Sequence, residues 1–135
     1  MIVDDNAAFL QAAAATLRQE GVDVVGSARS VVEAVVHAAA HEPDVMLVDI
    51  ELGDDDGFDV ARRLVGQPVP VVLISTYGES DMADLVAASP AIGFLSKVDL
   101  SRAAIEELLA RAAGGPASGD GQGPGDGGPS PPRAP

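Results

Sequence analysis

Cysteine is missing from the chain altogether, which excludes disulfides and thiolate metal sites and leaves the redox compartment unmarked. Aromatic residues make up only 3%, so the core must be assembled from Val, Leu and Ile instead of large rings. No apolar run approaches the roughly 20 residues that a membrane-spanning helix needs. No charged segment followed by an apolar one opens the chain as a secretion signal would, so a cytoplasmic protein without membrane attachment is expected. Basic residues are also few, 8 Lys and Arg against 21 Asp and Glu, for a formal net charge of −13. Such a charge repels phosphate backbones and anionic lipid surfaces, so direct nucleic-acid binding is not expected. Cations, or a partner carrying a basic patch, fit it better.

What the chain does contain is organised around Val45-Met46-Leu47-Val48-Asp49-Ile50-Glu51. An apolar run leads straight into an aspartate, and a turn of Gly53, Asp54, Asp55, Asp56 and Gly57 follows. A short apolar run bounded by turn residues reads as a strand buried on both faces, as in parallel sheets. Asp49 then sits at the carboxyl end of that strand, where open α/β sheets place their ligands. A carboxylate there is a metal ligand, a nucleophile, or both.

The rest of the chain repeats one unit. Ile2-Val3 lead into Asp4-Asp5-Asn6, and Phe9, Leu10, Ala13, Ala14 and Leu17 then recur at helical steps until Gly21. Val22–Val25 reads as a second strand. Ser30 and Glu33 have the spacing of a capping box and open a helix that Pro43 closes. A third helix is predicted from Phe58 to Val65, and a strand over Val71–Ile74 ends in Ser75-Thr76. A weaker helix over Ser80 to Ala88 precedes a fifth strand, Ile92–Leu95, which ends in Ser96-Lys97. The last helix carries Ala104, Ile105, Leu108, Leu109 and Ala112 on one face and stops at Gly114-Gly115.

This alternation predicts an α/β fold: a doubly wound, five-stranded parallel sheet with right-handed crossovers and helices on both faces. The expected strand order is 2-1-3-4-5, the flavodoxin-like three-layer sandwich. The 135 residues suffice for one core, expected over residues 1–113. From Gly114 on, eight Gly and six Pro stand among the last 22 residues. That composition cannot bury enough apolar surface to offset its ordering entropy, so a disordered tail is expected over 114–135, a linker toward an output domain. Only three residues precede Asp4, against about 5–6 in a typical strand, and a translation start further upstream is expected.

Four strand ends carry polar groups: Asp4 and Asp5, Asp49, Ser75, and Lys97. In a parallel sheet these ends share one edge, so the groups converge. Carboxylates gathered there raise one another's pKa unless a cation intervenes, and an all-oxygen ligand set favours Mg²⁺. Lys97 adds a mobile positive charge and Ser75 a hydroxyl donor. Together they would stabilise the equatorial oxygens of a transferring phosphoryl group, with Asp49 as the attacking carboxylate.

In this combination the chain resembles the receiver (response regulator) family of two-component signalling. The marks are the acidic pair Asp4-Asp5 after the first strand, Asp49 ending an apolar strand, Gly57 behind it, Ser75, and Lys97 after an aromatic strand. The resemblance implies that Asp49 is the phospho-acceptor and that Asp5 is a direct Mg²⁺ ligand. It further implies that Asp4 helps through water or a second contact and that the Glu51 carbonyl completes the protein ligands. Ser75 takes the place of the switch hydroxyl, Lys97 that of the phosphate-pairing lysine, and Phe94 that of the rotating aromatic. The phosphoryl group would come from a histidine kinase or a phosphotransfer protein, and the signal would pass to an output protein or output domain. Such a domain is not an enzyme toward other substrates, although it assists its own phosphotransfer and dephosphorylation. Three positions depart from the family pattern. Gly53 stands where proline is frequent, which predicts a looser loop. Val98 follows Lys97 where proline is also frequent, and a cis bond there costs about 2.5–4 kcal/mol without it. Phe94 lacks a hydroxyl, so any switching must rest on packing.

Rival readings fare less well. An EF-hand loop ending at Gly57 needs an acid at Leu52 and Glu at Arg63. A haloacid-dehalogenase-type phosphatase wants Asp where Glu51 stands. His37 and His41, one helical turn apart, lack a third metal ligand. The remaining alternative is a receiver-like module that docks partners without phosphorylation.

Overall fold

Alternation along the buried strands decides the layering. The computed structural model describes residues 1–76 and 79–114. Its elements are β1 (Ile2–Val3), α1 (Ala7–Gln19), β2 (Ser27–Ala28), α2 (Val31–His41), β3 (Met46–Asp49), β4 (Glu51–Leu52), β5 (Asp55–Asp56) and α3 (Gly57–Arg63). They continue with β6 (Val71–Ser75), α4 (Glu79–Ala87), β7 (Gly93–Ser96), a 3₁₀ turn (Lys97–Asp99) and α5 (Arg102–Ala112). Val3, Met46, Val48 and Leu73 point into one apolar layer with Val31, Ala34 and Ala38 of α2 and Val60 of α3. Their strand neighbours Ile2, Leu47, Val72 and Ile74 point into the other, with Leu10, Ala13 and Leu17 of α1 and Ile105 of α5. A period of two puts successive side chains on opposite faces, so strands apolar at every position demand helices on both sides. That is the three-layer arrangement expected.

The five-stranded sheet is parallel throughout, in the order β2-β1-β3-β6-β7. With the β4–β5 pair set aside, this is the predicted order 2-1-3-4-5. Side-chain caps start the helices: Asn6, Ser30, Asp56 and Ser101 each accept from the N–H three residues on, which satisfies one of the orphan donors of a first turn. Glu33 returns a bond as in a capping box, but to the N–H of Arg29 at 2.8 Å, one residue before the cap.

Two local expectations need correction. Val22–Val25 is not a strand. The ladder sets Ile2 opposite Ser27 and Val3 opposite Ala28, so residues 22–25 lie before the pairing begins. Val22 and Val24 are half-buried against the α1–α5 layer while Asp23 is exposed; the alternation reflects burial without a ladder. The turn after Asp49 is more ordered than expected, for β4 and β5 pair antiparallel, Glu51 with Asp56 and Leu52 with Asp55. Gly53 has φ +63 and closes this two-residue hairpin. Asp54 does not share the positive φ, so the turn is of the II′ kind that glycine favours at its first central position. Lys97 itself opens the 3₁₀ turn, in which Val98 is exposed. Apart from Gly114, the tail expected over 114–135 lies outside the described residues. No described helix is long and apolar enough to cross a membrane.

Candidate functional site

Parallel pairing brings the carboxyl ends of β1, β3, β6 and β7 to one edge, and an open cleft of about 850 Å³ lies there. Asp4, Asp5, Asp49, Glu51 and Lys97 all line it. Carboxylate oxygens of Asp4, Asp5 and Asp49 lie within 4.8 Å of one another. Asp4 is fully buried and Asp49 nearly so, whereas Asp5 is exposed at the rim.

Each buried carboxylate is held at two points. Asp4 Oδ1 accepts from the Asn6 N–H at 2.8 Å, and Asp49 Oδ1 accepts from the Glu51 N–H at 3.2 Å. The second oxygen of each meets Lys97, whose Nζ lies 2.6 Å from Asp4 Oδ2 and 3.2 Å from Asp49 Oδ2. Toward Asp4 the angles fall outside those of a hydrogen bond, so that contact is an ion pair, while the Asp49 contact is also hydrogen-bonded. The Asp49 carboxyl is raised to about 6, chiefly by burial and also by the Asp4 charge, against the lowering pull of the Glu51 N–H and Lys97. Burial works against the Lys97 charge as well, but the two aspartates outweigh it and hold the ammonium above its ordinary value.

Backbone packing fixes Asp49 from behind. The Gly57 N–H donates to Ile50 O at 2.7 Å, and a Cβ on Gly57 would overlap the Asp49 carbonyl. Only glycine permits that approach.

The expected convergence therefore holds for Asp4, Asp5, Asp49 and Lys97, with Glu51 joined through its N–H. Ser75 ends β6, buried, one residue beyond the partner of Asp49 in the ladder. Its neighbour Thr76 lines the cleft. Phe94 lies apart from the cleft, buried in the layer with Leu73. Several contributors were not singled out from the sequence. Phe9 places its ring 4.3 Å from the Lys97 Nζ, Arg62 lines the cleft from α3, and Arg29 donates to Asp5 O at 3.0 Å. The sequence placed Phe9 only on the apolar face of the first helix; its contact with Lys97 and that of Arg29 with Asp5 join residues far apart along the chain.

The donor set suits a hard cation. Three carboxylates face one another, two of them buried, and among the described residues Lys97 is the cation that reaches them. A small divalent ion with oxygen ligands would balance the remaining charge, and the ligand chemistry fits Mg²⁺.

Known proteins share this architecture. The family model for the response regulator receiver domain matches residues 1–110. The signal receiver domain of NarL from Mycobacterium tuberculosis is 32% identical, with a TM-score of 0.70, over 84% of this chain and 94% of that one. A response regulator from Burkholderia pseudomallei, solved with a phosphorylated aspartic acid, a calcium ion and citrate, is 25% identical. Its TM-score is 0.66, over 81% of this chain and 62% of that one. Among curated proteins, the transcriptional regulatory protein PdtaR of Mycobacterium tuberculosis is 30% identical over 98 residues, 72% of this chain. The match spans about half of that relative's length, 48%. With the acidic cleft, the lysine and the parallel sheet all in place, the chain belongs to the response regulator receiver domain family.

Proposed function

We propose that this receiver accepts a phosphoryl group on Asp49 from a histidine kinase or phosphotransfer protein and passes the signal on by a change of conformation. The observation that carries this reading is the Asp49 carboxylate at the cleft edge, 3.2 Å from Lys97 and grouped with Asp4 and Asp5. Asp4, Asp5, Asp49 and the Glu51 carbonyl would hold Mg²⁺, which when bound supplies positive charge to the phosphoryl oxygens. An Asp49 carboxylate oxygen attacks phosphorus as the donor's P–N bond breaks, and that bond's electron pair stays with the donor imidazole. Lys97, already beside Asp49, pairs with a phosphoryl oxygen and orients the group. Later attack of water on phosphorus releases inorganic phosphate and restores the carboxylate.

Ser75 and Phe94 carry the change outward. Ser75 would close on the phosphoryl group and draw the end of β6 with it. Phe94, buried beside Leu73 in the ladder, would repack and alter the face formed by α4 and α5 for an output protein or output domain. With no hydroxyl on Phe94, this step depends on packing alone. The cytoplasm is the compartment where such a kinase partner would meet it.

The departures at Gly53 and Val98 are absorbed locally, by a hairpin turn and a 3₁₀ turn, so neither favours a module that only docks partners. Titration with beryllofluoride and Mg²⁺, followed by amide NMR, separates the two readings. Shifts at Ser75 and Phe94 are expected. Unchanged spectra would leave only the docking module.

A further inference from the structure

Four contacts close on themselves around the lysine. Asp4 Oδ1 accepts from the Asn6 N–H at 2.8 Å, and Asn6 Oδ1 accepts from the Phe9 N–H at 3.0 Å, capping α1. The half-buried Phe9 ring lies beneath Lys97, with Nζ 4.3 Å from its centroid. The same Nζ returns to Asp4 Oδ2 at 2.6 Å. The aspartate that pairs with the ammonium thus also anchors, through the helix cap, the ring on which the ammonium rests.

A lysine side chain has many rotamers and a strongly hydrated head, so its position needs contacts on more than one side. The carboxylates supply one side. An aromatic face within about 6 Å of a cation supplies another, by quadrupole attraction and by excluding water. The two are not equivalent once the site is loaded. A cation that claimed Asp4 would weaken the shortest ion pair of Lys97, and the Phe9 face is the contact that would still hold the ammonium beside Asp49.

From this closed circuit we infer that Phe9 is a positioning residue for Lys97, its ring holding the ammonium where Asp49 is to take the phosphoryl group. The inference rests on Asp49 being the acceptor. Phe9 does not line the cleft and acts through the lysine.

The test compares wild type, Phe9→Leu and Phe9→Trp in the full chain, by the rate of labelling with acetyl phosphate and Mg²⁺. Leucine keeps an apolar side chain in the α1–α5 layer and removes the π face. The expected result is labelling slower by about three- to tenfold in Phe9→Leu, with most of the rate restored in Phe9→Trp. Equal rates in wild type and Phe9→Leu would overturn the inference, and so would Phe9→Trp as slow as Phe9→Leu. A second measurement needs no labelling at all. Without metal, the ε-methylene protons of Lys97 should be shifted upfield by the ring current in wild type and Phe9→Trp but not in Phe9→Leu. Absence of that shift in wild type would overturn the contact. If wild type shows the shift yet takes no label, the acceptor reading fails while the positioning contact stands.

Discussion

The Lys97 ammonium lies closer to Asp4, at 2.6 Å, than to Asp49, at 3.2 Å. Before any divalent ion binds, this lysine serves as the counter-ion of the carboxylate cluster, and both partners are buried. Removing one member of a buried pair leaves the other charge uncompensated, which costs more than the pair itself contributes.

Lys97→Met should therefore destabilise the protein at neutral pH in divalent-free buffer by about 1–3 kcal/mol, less than for a fully enclosed pair because the cleft is open to water. Saturating Mg²⁺ should recover part of the loss by supplying the missing charge. Urea unfolding with and without Mg²⁺ reads both effects. A variant as stable as wild type without metal would show that Lys97 is not the counter-ion.

Asp49 makes its own contribution to the pH dependence of stability, for its carboxyl rises from 3.8 to about 6 on folding, chiefly through burial. An acid raised in this way holds its proton more tightly when folded. Its favourable contribution is complete below about pH 4 and is lost as the pH rises through 6. The raised Lys97 titrates far above this window and adds no slope to it. Asp49→Asn should thus be more stable than wild type at pH 7.5 by about 2–3 kcal/mol without metal, and the gap should close toward pH 4. Urea unfolding at several pH values measures it. A gap that does not vary with pH would contradict the raised carboxyl.

How much of this was legible in the sequence depends on the range of the interaction. Asp4, Asp49 and Lys97 could be placed because each follows an apolar strand, and parallel strands end on a common edge. The helix cap at Ser30 is local and follows from its spacing to Glu33, whereas the caps at Asn6 and Ser101 emerge only in the structure. Val22–Val25 misled because alternation reports burial, whereas strand pairing depends on the register against β1, which starts opposite Ser27. The β4–β5 hairpin was hidden because Asp55 and Asp56 are poor strand formers and pair only through the turn at Gly53. The Phe9–Lys97 contact joins residues 88 positions apart, beyond any local pattern.

Gly53 gives a prediction that runs against the family's frequent residue. Proline fixes φ near −65°, but this position needs φ +63 to close the hairpin. Gly53→Pro should destabilise the protein by about 1–3 kcal/mol, and Gly53→Ala by about 1 kcal/mol. Thermal or urea unfolding tests this. A proline variant at least as stable as wild type would contradict the hairpin turn.

The account as a whole stands on Asp49 as the acceptor. Intact-mass spectrometry after incubation with acetyl phosphate and Mg²⁺ tests it most directly, with the adduct mapped by borohydride trapping. The account predicts one phosphoryl adduct per chain on Asp49 in the wild type and none in Asp49→Ala or Asp49→Asn. Labelling of those variants at the wild-type level, or an adduct mapped to another residue, would contradict it.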